Sequence, residues 1–189
     1  MIAMNKLIEN LLSCLTSEKA RPQDYEHWGL LLSLVVEKHS KLRSPEPMYA
    51  ELLPKAYREI NLGESEYVAL VTQICEMLVR PTLPAKSQDA LVFALCGTDD
   101  TTLNLTVPSI VNFLSVQHGE NAQTSALRCL RKMLSEPDGI RKNAAQIRSA
   151  IPPLSKVRLS LQQSLSDSDD KSQAATVIDL LAGLLDSSG

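Results

Sequence analysis

Apolar residues recur at intervals of three and four along almost the whole chain, and this spacing restricts the fold more than any other feature. Near the start, Leu7, Ile8, Leu11, Leu12 and Leu15 form one such series. Residues at these intervals lie on one face of an α-helix, whereas a half-buried strand alternates apolar and polar residues. Strand-like alternation is almost absent, and aromatic residues, which sheets favour, make up only 4% of the chain. The sequence therefore predicts an all-α protein.

Prolines and glycines divide the apolar series into about ten predicted helices joined by short turns. Gly63 and Gly97 each follow one series, and Pro152 with Pro153 separates two others. A third helix is predicted between Pro47 and Ile60. Because no long linker or low-complexity block interrupts the pattern, we expect one continuous helical array.

Three segments begin in the same way, namely KSQDALVFAL at 86–95, NAQTSALRCL at 121–130 and KSQAATVIDL at 171–180. In each of these three similar segments, a polar opening is followed by a small residue and then by apolar residues three or four positions apart. The small residues Ala90, Ala126 and Ala174 are separated by 36 and 48 positions, with a mean of 42. A small side chain at this place lets a neighbouring repeat approach closely, and the leucine residues that follow fill the interface.

The three similar segments resemble the last helix of an armadillo-type repeat, which reads as a polar start followed by A-L-x-x-L. Their mean separation lies in the range of about 40–47 residues that armadillo and HEAT repeats show. The resemblance covers residues 47–187 and implies an armadillo/HEAT-like α-solenoid that binds other proteins. An irregular helical bundle is the alternative, because any amphipathic helix in a bundle can show the same spacing.

The resemblance also implies how the chain is organised. Residues 1–189 would form a single helical-repeat domain, with N-terminal cap helices at 1–46 and a repeat-like core at 47–165. Residues 166–171 would form an acidic, serine-rich turn before a C-terminal helix at 172–187. In peptide-binding armadillo proteins the groove is lined by regularly spaced Asn and Trp. Here Trp28 is the only tryptophan and lies outside the repeat-like core, so this mode of binding is not expected.

The sequence carries no recognisable catalytic or metal-binding pattern. Its four cysteines stand far apart, each within an apolar run, where a free thiol behaves as a small core residue. His27, His39 and His118 fall at polar helix ends or turns, and no glycine-rich phosphate loop or GxSxG turn occurs. We therefore expect a protein that is not an enzyme and uses no cofactor and no metal.

Two observations predict where the protein works. The start of the chain lacks the uninterrupted apolar stretch and cleavage site of a signal peptide, and no apolar run approaches the roughly 18 residues that span a bilayer. Isolated cysteines in apolar runs are typical of a reducing compartment. The expected location is intracellular, cytoplasmic or nuclear, without membrane attachment.

Charge is unevenly distributed along the chain. The net charge is −3, yet residues 128–158 carry eight basic residues against two acidic ones. We call the candidate partner-binding residues within this stretch the basic surface, and they are Arg128, Arg131, Lys132, Arg141, Lys142 and Arg148. The first three lie at i, i+3 and i+4 and hence on one helix face.

Several functions are compatible with the basic surface. An acidic peptide or partner protein would pair with it through carboxylates. Nucleic acid is the alternative ligand, which the acidic overall charge and the lack of interleaved aromatic residues disfavour. The same residues could also form a solvated face, or pair with the acidic C-terminal part of the chain.

Two further features lie near the C-terminus. The last predicted helix is apolar on much of its surface, so it is either clamped between other helices or contacts another chain, as a subunit of a larger complex would. The candidate interface residues are Val177, Ile178, Leu181 and Leu185. Ser166 and Ser168 precede acidic residues, a pattern typical of acidophilic kinase sites, and each phosphate would add up to about −2 charge.

Overall fold

A computed structural model describes residues 5–39, 55 and 60–187, and within these ranges all regular secondary structure is helical. Nine α-helices are described, which confirms the all-α prediction. They are α1 (Lys6–Leu15), α2 (Pro22–His39), α3 (Glu64–Leu78), α4 (Ala85–Leu95), α5 (Leu103–Leu114), α6 (Glu120–Leu134), α7 (Pro137–Ala150), α8 (Leu154–Ser164) and α9 (Ser168–Asp186). A short 3-10 turn at Asp100–Thr102 leads into α5. The helix predicted between Pro47 and Ile60 lies almost entirely outside the described residues.

Local hydrogen bonds explain where several helices begin. The Asn5 side chain accepts a bond of 2.9 Å from the N–H of Leu7 at the start of α1. At the start of α3, the Glu66 carboxylate accepts a bond of 2.8 Å from the N–H of Gly63. The N–H groups at the start of a helix have no carbonyl partner within the helix, and each of these bonds satisfies one of them. Pro137 opens α7, a position where the missing N–H costs nothing.

The chain divides into two compact units, Met1–Asp99 and Asp100–Gly189. In the first unit, α2 packs extensively against α4, while α1 packs against α2 and α3 against α4. The helices α2 and α4 lie close together at Gly29 and Ala90, where a Cβ atom added to Gly29 would lie 2.6 Å from the Ala90 Cβ. Ala90 is the small residue of the first similar segment, and the helix that approaches it is α2, which lies in the predicted cap region and not in a neighbouring repeat.

In the second unit, α5 packs against α6, α7 and α8, and α9 packs against α6 and α8. The core between them is formed by apolar side chains that are almost fully buried, among them Val107, Ile110, Ala126, Leu130, Val157 and Leu181. Gln123 is also fully buried, and its Nε2 donates to the Val116 carbonyl at 3.0 Å and to the Ser160 hydroxyl at 3.3 Å. This amide therefore joins α6 to α8 through polar contacts inside an otherwise apolar core.

None of the described helices is both long and apolar enough to cross a membrane.

Candidate functional site

The basic surface lies on α6 and α7. In both helices the buried residues lie on one side, and the basic residues lie on the exposed side or at its border. The buried residues of α6 include Ala122, Ala126, Leu130 and Met133, and Arg128 and Arg131 project from the exposed side. Lys132 is half-buried beside them. Since the apolar stripe holds the helix against the core, the position of the two arginines follows directly from the amphipathic pattern.

The helix α7 has a much narrower apolar stripe. Only Gly139 and Ile147 are buried, so most of its surface is in contact with solvent. Arg141 and Lys142 are exposed and Arg148 is half-buried. This narrow side packs on α5, and the Asn112 side chain donates a hydrogen bond of 3.2 Å to the Ala150 carbonyl at the end of α7. The opposite side of α7 is exposed and available to a partner.

Five members of the basic surface have no acidic partner in the described part of the chain. Arg128, Arg131, Arg141, Lys142 and Arg148 form no ion pair with any described residue, in contrast to Arg21–Asp24 at 3.0 Å and Lys86–Glu26 at 3.3 Å in the first unit. The Nε atom of Arg148 is buried and has no hydrogen-bond partner among the described residues. Five of the six cations of the basic surface are therefore not neutralised by an ion pair with a described acidic residue.

The acidic residues near the start of α9 serve this helix and its neighbour. Asp167 accepts bonds from the N–H groups of Asp169 and Asp170, at 2.8 and 3.3 Å. The Asp170 carboxylate in turn accepts a bond of 2.9 Å from the Thr124 hydroxyl of α6. With Asp167 as its cap, α9 begins at Ser168, so four residues of the predicted turn at 166–171 belong to the helix instead.

Ser166 is tied to α6 by its backbone and its side chain. Its hydroxyl donates to Oε1 of Glu120 at 2.6 Å, and its N–H donates to the same oxygen at 2.7 Å. These bonds, with a weaker electrostatic contribution from Lys171, lower the pKa of the Glu120 carboxyl. Ser168, the other candidate phosphorylation site, is exposed and is the first residue of α9. The two serines therefore occupy different environments although they are two positions apart.

The apolar residues of α9 face the interior of their own unit. Val177 and Leu181 are completely buried, Ile178 is 4% exposed, and Leu185 is half-buried. Of the two predicted alternatives, the position of these side chains corresponds to a helix clamped between others, here α6 and α8. Among the larger apolar residues of α9, Leu180 is the most accessible, at 40%.

A groove of about 530 Å³ runs between α8 and α9. Its floor consists of four largely buried residues: Leu161 in α8, Leu165 directly after α8, and Ala174 and Ile178 in α9. Arg158, Gln162, Lys171 and Asp179 stand along its edges, with the exposed Ala175 between them. Sequence reasoning missed this groove, because it depends on which two helices pack together. The only signal was the spacing of Arg158, Leu161, Gln162 and Leu165 on one side of α8.

The remaining polar candidates form no recognisable reactive centre in the described ranges. The four cysteines form no disulfide, with Cys129 buried and the others half-buried. His118 stacks flat on Phe113 with ring centroids 3.8 Å apart, and burial lowers the pKa of its imidazole. The described residues include no group of three or more His, Cys, Asp or Glu side chains that could hold a metal ion.

Comparison with known proteins adds no family assignment. No protein-family model, no curated protein and no solved structure matches the chain. A functional hypothesis must therefore be built from the geometry of the chain's own residues.

Proposed function

We propose that this protein is a non-enzymatic interaction scaffold that binds an acidic segment of a partner protein through the basic surface. The observation that carries the proposal is the set of five cations on α6 and α7 without an ion pair in the described chain. Arginine holds carboxylates by two parallel hydrogen bonds, so Arg128 and Arg131 on one helix face suit an acidic peptide. Glu136 and Asp138, the two acids of this stretch, lie at the N-cap and in the first turn of α7, where the helix dipole favours negative charge.

The helical-repeat architecture is part of the same proposal. In an armadillo-like stack, corresponding helices of successive repeats pack against each other. The contacts of α5 with α8 and of α6 with α9 support such an arrangement, with α7 connecting two repeats. The helices α6 and α9 carry the second and third similar segments, which is the pairing that the resemblance implies. An irregular bundle would not require this match between sequence similarity and packing.

The two other functional hypotheses have weaker support. Nucleic acid would use the same cations, but no exposed aromatic residue in α6 or α7 offers a base-stacking surface. A structural subunit that contacts its complex through the apolar residues of α9 would need Val177 and Leu181, which are instead completely buried in their own unit. Action in the cytoplasm or nucleus is part of the proposal, because four cysteines without a disulfide are typical of a reducing compartment.

Peptide binding measured by fluorescence anisotropy tests the proposal. The probes are a labelled peptide rich in glutamate and serine, its counterpart with lysine for glutamate, and a labelled single-stranded oligonucleotide. We expect the acidic peptide to bind the full chain, and the variant Arg128→Glu/Arg131→Glu/Arg141→Glu to bind it at least about tenfold more weakly.

A matched control changes the same charge elsewhere. Lys6→Glu/Lys19→Glu/Arg80→Glu alters three exposed residues of the first unit and is expected to keep the affinity of the unmodified chain. An equal loss of peptide affinity in both variants would show that only the net charge of the protein matters, which would contradict the proposal. Tighter binding of the oligonucleotide, with an affinity that falls steeply with salt, would favour nucleic acid instead.

A further inference from the structure

The groove between α8 and α9 is a second recognition surface that the proposed function does not use. It is formed by the last two helices of the second unit, which are joined by residues 165–167, whereas the basic surface lies on α6 and α7. At about 530 Å³, it falls in the size range of protein pockets that bury a ligand.

The shape of the groove suits a helix. Ala174 and Ala175 leave a depression on α9, opposite Leu161 on α8. Side chains of a third helix can enter the space between two packed helices when the residues there are small. Leucine-like residues at i, i+3 or i+4 and i+7 of such a helix would cover the apolar floor, which is the usual mode of helix-in-groove recognition.

The charged residues along the groove determine which kind of helix fits it. Arg158 and Lys171 line it, and neither forms an ion pair with a described residue, although Lys171 lies within electrostatic range of Glu120. Asp179 is the only acidic residue among those that line the groove. A helix that carries acidic residues beside its apolar stripe would therefore complement both cations, while a basic helix would meet like charge.

A second copy of the chain offers no such helix among its described residues. Its exposed large apolar side chains stand singly on separate elements, as Leu30, Val79, Phe93, Val116, Leu159 and Leu180 do. None of the described helices thus presents a continuous exposed apolar stripe that could fill the groove.

From the apolar floor and the two cations that line it, we propose that the groove binds an acidic amphipathic helix of a partner protein. Its apolar residues pack on Leu161, Leu165 and Ile178, and its carboxylates pair with Arg158 and Lys171. The protein would then bind a partner through apolar packing in the groove as well as through charge. This apolar contact provides a specificity that pairing of an acidic peptide with the basic surface does not.

The test uses the full chain and two labelled helical peptides about five turns, or roughly 18 residues, long. Both carry a leucine stripe, flanked by glutamate in one peptide and by lysine in the other. We expect the glutamate peptide to bind at least about tenfold more tightly than the lysine peptide. Arg158→Glu/Lys171→Glu is expected to reverse this preference, and equal affinities of the unmodified chain for both peptides would overturn the proposal.

Filling the groove gives an independent measurement. Ala175→Trp places a large side chain in the depression at an exposed position, and we expect it to weaken binding of the glutamate peptide by at least about tenfold. Ala145→Trp, at an exposed position on α7, is the matched control and is expected to leave binding unchanged. Unchanged binding by Ala175→Trp would contradict the proposal. A concentration-dependent dimer that Ala175→Trp abolishes would also overturn it, by making a second copy the occupant.

The groove and the basic surface can be tested separately. Arg128→Glu/Arg131→Glu/Arg141→Glu is expected to lose the glutamate- and serine-rich peptide but to retain the leucine-striped one. Failure of the proposed function would therefore leave the groove result intact, and failure of the groove proposal would leave the basic surface intact.

Discussion

At the scale of single residues, Glu120 and Ser166 form a contact that a single modification would reverse. The Ser166 hydroxyl and N–H both donate to one oxygen of the Glu120 carboxylate, at 2.6 and 2.7 Å. A phosphate on Ser166 would remove the hydroxyl donor and place negative charge beside this carboxylate. Ser168 differs because it opens α9, where the helix dipole favours negative charge.

We expect Ser166→Asp to lower the Tm of the protein at neutral pH and Ser168→Asp to leave it unchanged or raise it slightly. Thermal unfolding followed by circular dichroism measures both. In a Glu120→Gln background the effect of Ser166→Asp should largely disappear, because the repelling carboxylate is gone. Equal loss of Tm in the two single variants would show that added charge, and not the contact with Glu120, decides the outcome.

The same contact makes a prediction about pH. Hydrogen bonds from Ser166 lower the pKa of the Glu120 carboxyl, so the folded protein holds this group ionised more strongly than the unfolded chain does. The resulting stabilisation is present above the ordinary pKa of glutamate and is lost as the pH falls through the lowered pKa of the folded state. We therefore expect the Tm difference between the unmodified chain and Ser166→Ala to be larger near pH 7 than near pH 2.5. A difference that is independent of pH would contradict this linkage.

His118 becomes positive when it ionises, unlike Glu120, but its pKa is lowered as well. Burial against Phe113 lowers the pKa of its imidazole, so the unfolded chain binds a proton more readily than the folded one. Stability linked to His118 is then full above its ordinary pKa of about 6.5 and decreases as the pH falls below it. We expect an NMR titration of His118 to give a pKa below 6.5, and His118→Gln to lessen the loss of stability between about pH 8 and pH 5. A pKa above 6.5 would contradict this prediction.

At the scale of helices, the contact between α2 and α4 depends on two small residues. A Cβ atom on Gly29 would lie 2.6 Å from the Ala90 Cβ and 3.0 Å from its Cα. Gly29→Ala is therefore expected to lower the free energy of unfolding by about 1–3 kcal/mol, although alanine is the better helix former. The double variant Gly29→Ala/Ala90→Gly should recover part of this loss.

Gly183 provides the matched control for Gly29. It also lies within a helix, α9, but a Cβ atom added there would have no atom within 4 Å. Gly183→Ala is expected to raise the free energy of unfolding by up to about 1 kcal/mol, because only the helix propensity changes. Urea unfolding measures both variants, and a stabilising Gly29→Ala would show that α2 and α4 can move apart at little cost.

Helix periodicity was sufficient to predict the class of the fold and some packing, but it could not predict which helices pair. The close approach at Ala90 and the exposure of Arg128 and Arg131 both follow from patterns within one helix, and both are observed. The start of α9 was placed too late because Asp167, inside the acidic stretch, acts as its cap. His118 lies in the turn before α6, as expected, but the sequence did not show that it stacks on Phe113. The groove could not be predicted, since Leu161 and Ala174 come together only when α8 packs on α9.

At the scale of the whole molecule, the second unit contains everything that the two binding proposals need. Residues 100–189 include the basic surface, the groove and a core shared by five helices. A chain of this length can bury enough surface to fold alone, within the lower part of the usual size range for domains. Two contacts within the unit hold its helices together. Gln123 links α6 to α8 by a hydrogen bond, and Gly139 has no side chain, which allows Leu103 and Asp100 to approach α7.

We therefore expect a fragment of residues 100–189 to unfold cooperatively in urea and to bind the leucine-striped glutamate peptide with the affinity of the full chain, within about threefold. Cooperativity is expected because the apolar residues of α5, α6, α8 and α9 form one core and not separate helix pairs. Ala175→Trp in the fragment should reduce binding as it does in the full chain. A fragment that is helical but unfolds gradually would show that this core needs residues outside it. Cooperative unfolding with lost binding would show that the groove alone does not form the binding site.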